Sequence, residues 1–92
     1  MFCAFALAAA TALAAEHTPR LTAADVVRIA SRAAARADYR LRDYKAPTVR
    51  FEVSRKDYSW TAFFEGKASY PGNHFLVWVD DRTKKTRVMP GE

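Results

Sequence analysis

From Val26 to Ala37 the apolar side chains fall at helical spacing. Val26, Ile29, Ala30, Ala33 and Ala37 form one stripe, widened by Val27 and Ala34, while Arg28, Arg32 and Arg36 recur four apart on the opposite face. Thr22 stands three residues ahead of Asp25, a capping box with Asp in the usual place of Glu, and Leu21 before it can staple onto Val26. The spacing predicts a helix over 23–37 whose face of small side chains packs closely on something flat. After Ala46-Pro47 the period changes to two: Val49, Phe51 and Val53 alternate with Arg50, Glu52 and Ser54, as in a half-buried strand. Arg55-Lys56-Asp57 reads as a hairpin connection. The run 58–65 then sets Tyr58, Trp60, Ala62 and Phe64 on one face. Residues 66–73 form a loop with a Pro71-Gly72 turn signal. A third run places Phe75, Val77 and Val79 on one side and His74, Leu76 and Trp78 on the other. A turn over 80–84 and a short strand over 85–89, stopped by Pro90-Gly91, complete the pattern. One helix followed by consecutive strands predicts an α+β fold, a helix packed on a three- to four-stranded antiparallel sheet.

The first fourteen residues obey neither period. MFCAFALAAATALA has no charged side chain and falls short of the run of about 20 apolar residues that spans a membrane. Ala12-Leu13-Ala14 offers small residues at the −3 and −1 positions of a secretory cleavage site, although the basic residue that usually opens such a leader is missing. A buried N-terminal helix is the alternative. The expected organisation is a signal peptide over 1–14, a linker over 15–21 and one domain over 22–92, with the mature chain periplasmic or secreted and carrying no transmembrane segment. Cys3 departs with the leader, so the mature chain has no thiol, disulfide or thiolate ligand. Every charged residue remains: 15 basic against 10 acidic, a formal charge of +5.

That charge raises nucleic acid as a partner, with Arg28, Arg32 and Arg36 on the helix and Arg40, Arg42 and Lys45 beyond it. Export removes the chain from the nucleic-acid compartment, and Asp25, Asp38 and Asp43 interrupt the basic run. An anionic envelope surface or an acidic protein suits the same electrostatic face better. Catalysis finds little material. None of Ser31, Ser54, Ser59 and Ser69 lies in a Gly-x-Ser-x-Gly turn, and His74 as a general base competes with an ordinary strand-end histidine. His17 and His74 match no zinc spacing, and Glu65, Asp80 and Asp81 lack the spacing of a calcium loop. No enzyme, metal or cofactor is expected. Asp80-Asp81 reads instead as a turn pair.

The second face of the sheet carries the anomaly. If Trp60, Phe64, Phe75, Val77 and Val79 lie beneath the helix, Phe63, Leu76 and Trp78 point away from it. A contiguous apolar patch of this kind marks an interaction site, and Trp is a frequent binding anchor. Phe63, Leu76 and Trp78 are the expected anchors, with His74, Tyr70 and Asn73 as a polar rim. The alternatives are a homodimer stacking two such sheets, or cover by loops, Met89 or the linker.

The tail of the chain resembles a known family. Trp60, Gly66, Asn73-His74-Phe75-Leu76-Val77-Trp78-Val79-Asp80, Thr83 and Val88 are similar in order to a small exported PepSY-like domain, which ends in a V-D-x-x-T-G-x-V hairpin. Val79, Asp80 and Thr83 match, whereas the glycine expected after the threonine is Lys84. The resemblance spans about 21–88 and implies a non-catalytic module that binds or inhibits another envelope or secreted protein. It carries no shared catalytic set, and Asp80 and Thr83 are implied to hold the turn. The helix-then-strands order is also similar to nuclear-transport-factor-like immunity proteins, which neutralise toxins of rival bacteria. A peptidase inhibitor or an immunity protein is thus the implied role, a client-free periplasmic homo-oligomer the alternative.

Overall fold

A computed structural model of the chain describes residues 18–55 and 57–91. Helix α1, Ala23–Arg36, lies on one face of a four-stranded antiparallel sheet. The strands are β1 Thr48–Ser54, β2 Asp57–Glu65, β3 His74–Asp80 and β4 Thr86–Pro90, and their order in space is their order in sequence. This is the α+β arrangement that the change of period predicts. The expected signal peptide with Cys3, the start of the expected linker with His17, and Lys56 of the first hairpin lie outside the described residues.

The helix begins where its cap dictates. Thr22 Oγ1 accepts from the Asp25 N–H, and an Asp25 carboxylate oxygen accepts from the Thr22 N–H, each at 3.1 Å. It ends one residue earlier than the apolar stripe suggests. Ala37 is the C-cap because Asp38 turns left-handed at φ 70°, a place usually given to glycine. The Asp38 N–H then donates to Ala35 O and the Tyr39 N–H to Ala34 O, which satisfies those two carbonyls of the last turn. A 3₁₀ turn over Leu41–Asp43, which no period announced, leads into β1.

Register explains the core. Trp60 pairs with Val79, Ala62 with Val77 and Phe64 with Phe75, so all six side chains share the face beneath α1. Val26, Ala30, Ala33 and Ala34 of the helix are buried against them. Methyl groups let the helix axis approach the sheet, and the aromatic rings of β2 and β3 fill the remaining depth. Phe64 and Phe75 stack with centroids 4.6 Å apart.

The β3–β4 turn places the last strand one residue later than expected. Asp80 Oδ1 accepts from the N–H groups of Arg82 and Thr83, and the Asp80 N–H donates to Lys85 O. Those two backbone bonds, Thr83 first, hold the Asp80 carboxyl below the ordinary value of 3.8. Lys84 takes φ 66°, the left-handed conformation that glycine would adopt more cheaply. Pro90 closes β4 opposite Phe75 on an edge strand, where a missing N–H is tolerated.

Arg20 and Leu21, at the end of the expected linker, are tied into the fold. Both backbone N–H groups donate to the Asp81 carboxylate, at 2.8 Å from Arg20 to Oδ2 and 3.0 Å from Leu21 to Oδ1. Leu21 is buried with Val26 in the same apolar cluster, as a staple requires.

Candidate functional site

The face of the sheet away from α1 is organised in rows by register. Thr48, Phe63, Leu76 and Met89 form one row across β1 to β4, and Arg50, Thr61, Trp78 and Arg87 form the next. Phe63 and Leu76 are direct partners, so the three expected anchors lie on one surface, with Trp78 one row along from Leu76. Phe63 is exposed, while Leu76 and Trp78 are half-buried among their neighbours. Met89 extends the apolar row on the same face rather than covering it. Among the described residues no other segment forms a layer over this face.

Two shallow depressions shape it. Thr48, Arg50, Glu52, Thr61, Phe63 and Leu76 are prominent around one of about 390 Å³, and Trp78, Arg87 and Met89 line another of about 160 Å³. Arg50 and Arg87 stand at the two ends of the Trp78 row. The row of Trp78 thus ends in cations, with the carboxylates of Glu52 and Asp80 in the row beyond it, and the cationic ends suit a partner with carboxylates around an apolar contact.

The expected rim residues His74, Tyr70 and Asn73 line one depression together with Phe63. His74 stays with the anchors, its ring 5.5 Å from that of Phe63. Tyr70 and Asn73 lie on the β2–β3 loop at the end of the sheet, where they line both this depression and the one on the other side of the loop. The Asn73 amide is engaged by the loop itself, donating to Ala68 O. The helix arginines are on the other layer of the molecule. Arg28 pairs with Asp25 at 3.2 Å, and Arg32 and Arg36 are exposed, so this electrostatic face is separate from the apolar one.

Glu65, Asp80 and Asp81 do not come together. Glu65 is at the far end of β2 from Ser59, the residue that Asp80 faces, and pairs with Lys45 at 3.5 Å. Among the described residues no group of three His, Cys, Asp or Glu side chains could hold a metal ion, and no helix is long and apolar enough to cross a membrane.

Asp81 has a different role from Asp80. It is buried, and besides Arg20 and Leu21 it accepts from the Trp60 indole Nε1 at 3.0 Å and pairs with Arg82 at 3.4 Å. Burial pushes its carboxyl upward, but the N–H donors of Arg20, Leu21 and Trp60 and the Arg82 charge outweigh this and hold it below 3.8. Arg82 also lies over the Tyr58 ring at 4.2 Å. Parity carried the signal: Asp81 continues the inward series Phe75, Val77, Val79, and an inward Trp60 needs an acceptor for its indole N–H.

Compared with family models, curated proteins and solved structures, the chain matches none.

Proposed function

We propose that the chain is a non-catalytic, exported protein-binding module that engages another envelope or secreted protein through the outer face of its sheet. The observation that carries this reading is the row Phe63, Leu76 and Met89 beside Trp78, an apolar surface on the side of the sheet that α1 leaves open. The arginines at either end of the Trp78 row favour a partner with acidic side chains around its contact. The leader-like residues 1–14 support an exported location, and the PepSY-like order of the strands supports inhibition of a peptidase or neutralisation of a toxin as the purpose of binding.

Trp78→Ser tests the surface without touching the core beneath α1. The wild-type chain, immobilised, is expected to retain a specific protein from an envelope extract, and the variant is expected to lose it while keeping its circular dichroism spectrum. Retention of that protein by both chains would remove the outer face from the reading. Light scattering separates the homodimer alternative: a wild-type chain of twice the monomer mass that halves on Trp78→Ser would make the partner a second copy.

A further inference from the structure

A second concavity lies at the end of the sheet, between the 3₁₀ turn and the β2–β3 loop. Its volume is about 520 Å³, within the range of roughly 300–1,000 Å³ typical of small-molecule sites. Its walls are stitched together by backbone bonds between segments far apart in sequence. The Lys45 N–H donates to Glu65 O at 2.8 Å and the Lys67 N–H to Asp43 O at 2.9 Å, while Tyr44 and Gly66 form an isolated antiparallel bridge. The floor of this open concavity is thus fixed by the fold, while the loop side chains of Lys67, Ala68 and Tyr70 on its other wall are exposed.

Three tyrosines line it. The Tyr39 ring stacks on Phe75 at 3.9 Å, and Tyr44 meets Phe75 edge-on at 4.9 Å, so both rings are anchored on the core. Burial pushes the Tyr44 phenol pKa up, with Tyr39, Tyr70 and Asp43 adding to the effect, which keeps its hydroxyl a donor. Tyr70, on the facing loop, is 62% exposed. Arg40, Arg42 and Lys67 complete the donor set, and none of the three has a carboxylate within ion-pair distance among the described residues. Three cations thus share the lining with two carboxylates, Asp38 and Asp43, a net positive balance. The two carboxylates repel a second negative charge on a ligand and can accept from hydroxyls on its body.

We infer that this cavity binds a small organic anion, a single carboxylate or phosphate head carried on a ring that lies against Tyr70. The head is held by Arg40, Arg42 and Lys67 and by the tyrosine hydroxyls, in a site separate from the Trp78 face. Benzoate and phenyl phosphate are the probes, with benzyl alcohol as the uncharged control, titrated into the purified full chain and followed by amide shifts in NMR. Saturable shifts at Asp43, Tyr44, Lys67 and Tyr70, with a Kd of about 1 mM or tighter, are expected for at least one anion; which anion binds identifies the head group as carboxylate or phosphate. The combined change Arg40→Ser, Arg42→Ser, Lys67→Ser alters only exposed side chains and is expected to weaken binding at least about tenfold. Tyr70→Ala is expected to weaken the ring-bearing anions while leaving the spectrum otherwise folded. Equal binding of benzyl alcohol, no saturable shift with either anion, or undiminished affinity in the triple variant would each overturn the assignment.

Discussion

At the scale of single residues, Asp81 holds more of the structure together than any other polar side chain described. One carboxylate joins the entry to α1, through the N–H groups of Arg20 and Leu21, to the indole of Trp60 in β2 and to the β3–β4 turn on which it sits. Asp81→Ala strands the Leu21 N–H and the Trp60 indole away from water. At about 1–3 kcal/mol for each buried donor left unpaired, urea unfolding is expected to show a loss of roughly 2–5 kcal/mol. A loss below about 1 kcal/mol would mean that water replaces the carboxylate. The same group sets an acid limit. Its folded pKa lies below 3.8, so its contribution is complete above that value and disappears as the pH falls through the folded value. The melting temperature of the wild-type chain should therefore drop on acidification below about pH 4, and Asp81→Ala should flatten that part of the profile. Asp80, lowered for its own reason by the Thr83 and Arg82 N–H groups, leaves a residual acid dependence in the variant.

Elements were legible in the sequence wherever their causes are local. The α1 stripe, its Thr22–Asp25 cap and the two-residue period of β1 to β3 are set by neighbours within one or two turns, and the faces they imply are the faces observed. Boundaries moved where a residue adopts a left-handed conformation that glycine usually signals: Asp38 ends the helix at φ 70°, and Lys84 delays β4 at φ 66°. The anchors Phe63, Leu76 and Trp78 could be placed on one face because parity alone decides it. The cavity at the sheet end could not, since it depends on bonds such as Lys45 to Glu65 and Lys67 to Asp43 that join distant segments. Tyr39 and Tyr44, two aromatics in what read as a connection, were the trace it left. The turn also yields a prediction. Among the described residues the side chain of Lys84 has no hydrogen bond or ion pair, so Lys84→Gly removes left-handed strain and is expected to add about 1 kcal/mol in urea unfolding. A destabilised Lys84→Gly chain would mean that the added freedom of the unfolded state outweighs the strain relieved.

On the scale of the whole molecule, the two surfaces meet at one loop. Residues 66–73 separate the depression beside Phe63 and His74 from the tyrosine-lined cavity, and Lys67, Ala68, Tyr70 and Asn73 face both. Gly66 is where the loop leaves β2, and its N–H donates to Asn73 O across the loop base. A Cβ at this position would strike the Asn73 amide, within the distance at which one of them must shift. Gly66→Ala therefore forces the Asn73 amide away from Ala68 O and removes the brace it gives the loop, without altering any side chain of α1 or the core. The expected outcome is a folded chain in which benzoate or phenyl phosphate binding and capture of the protein partner weaken in parallel, with amide shifts at His74 as well as at Tyr44. Because the two sites rest on different chemistry, a parallel loss in a chain that keeps its fold points to the loop they share. A loss confined to the cavity would show that the outer face is positioned by the strand ladder alone, with Phe63 and Leu76 held by their direct pairing.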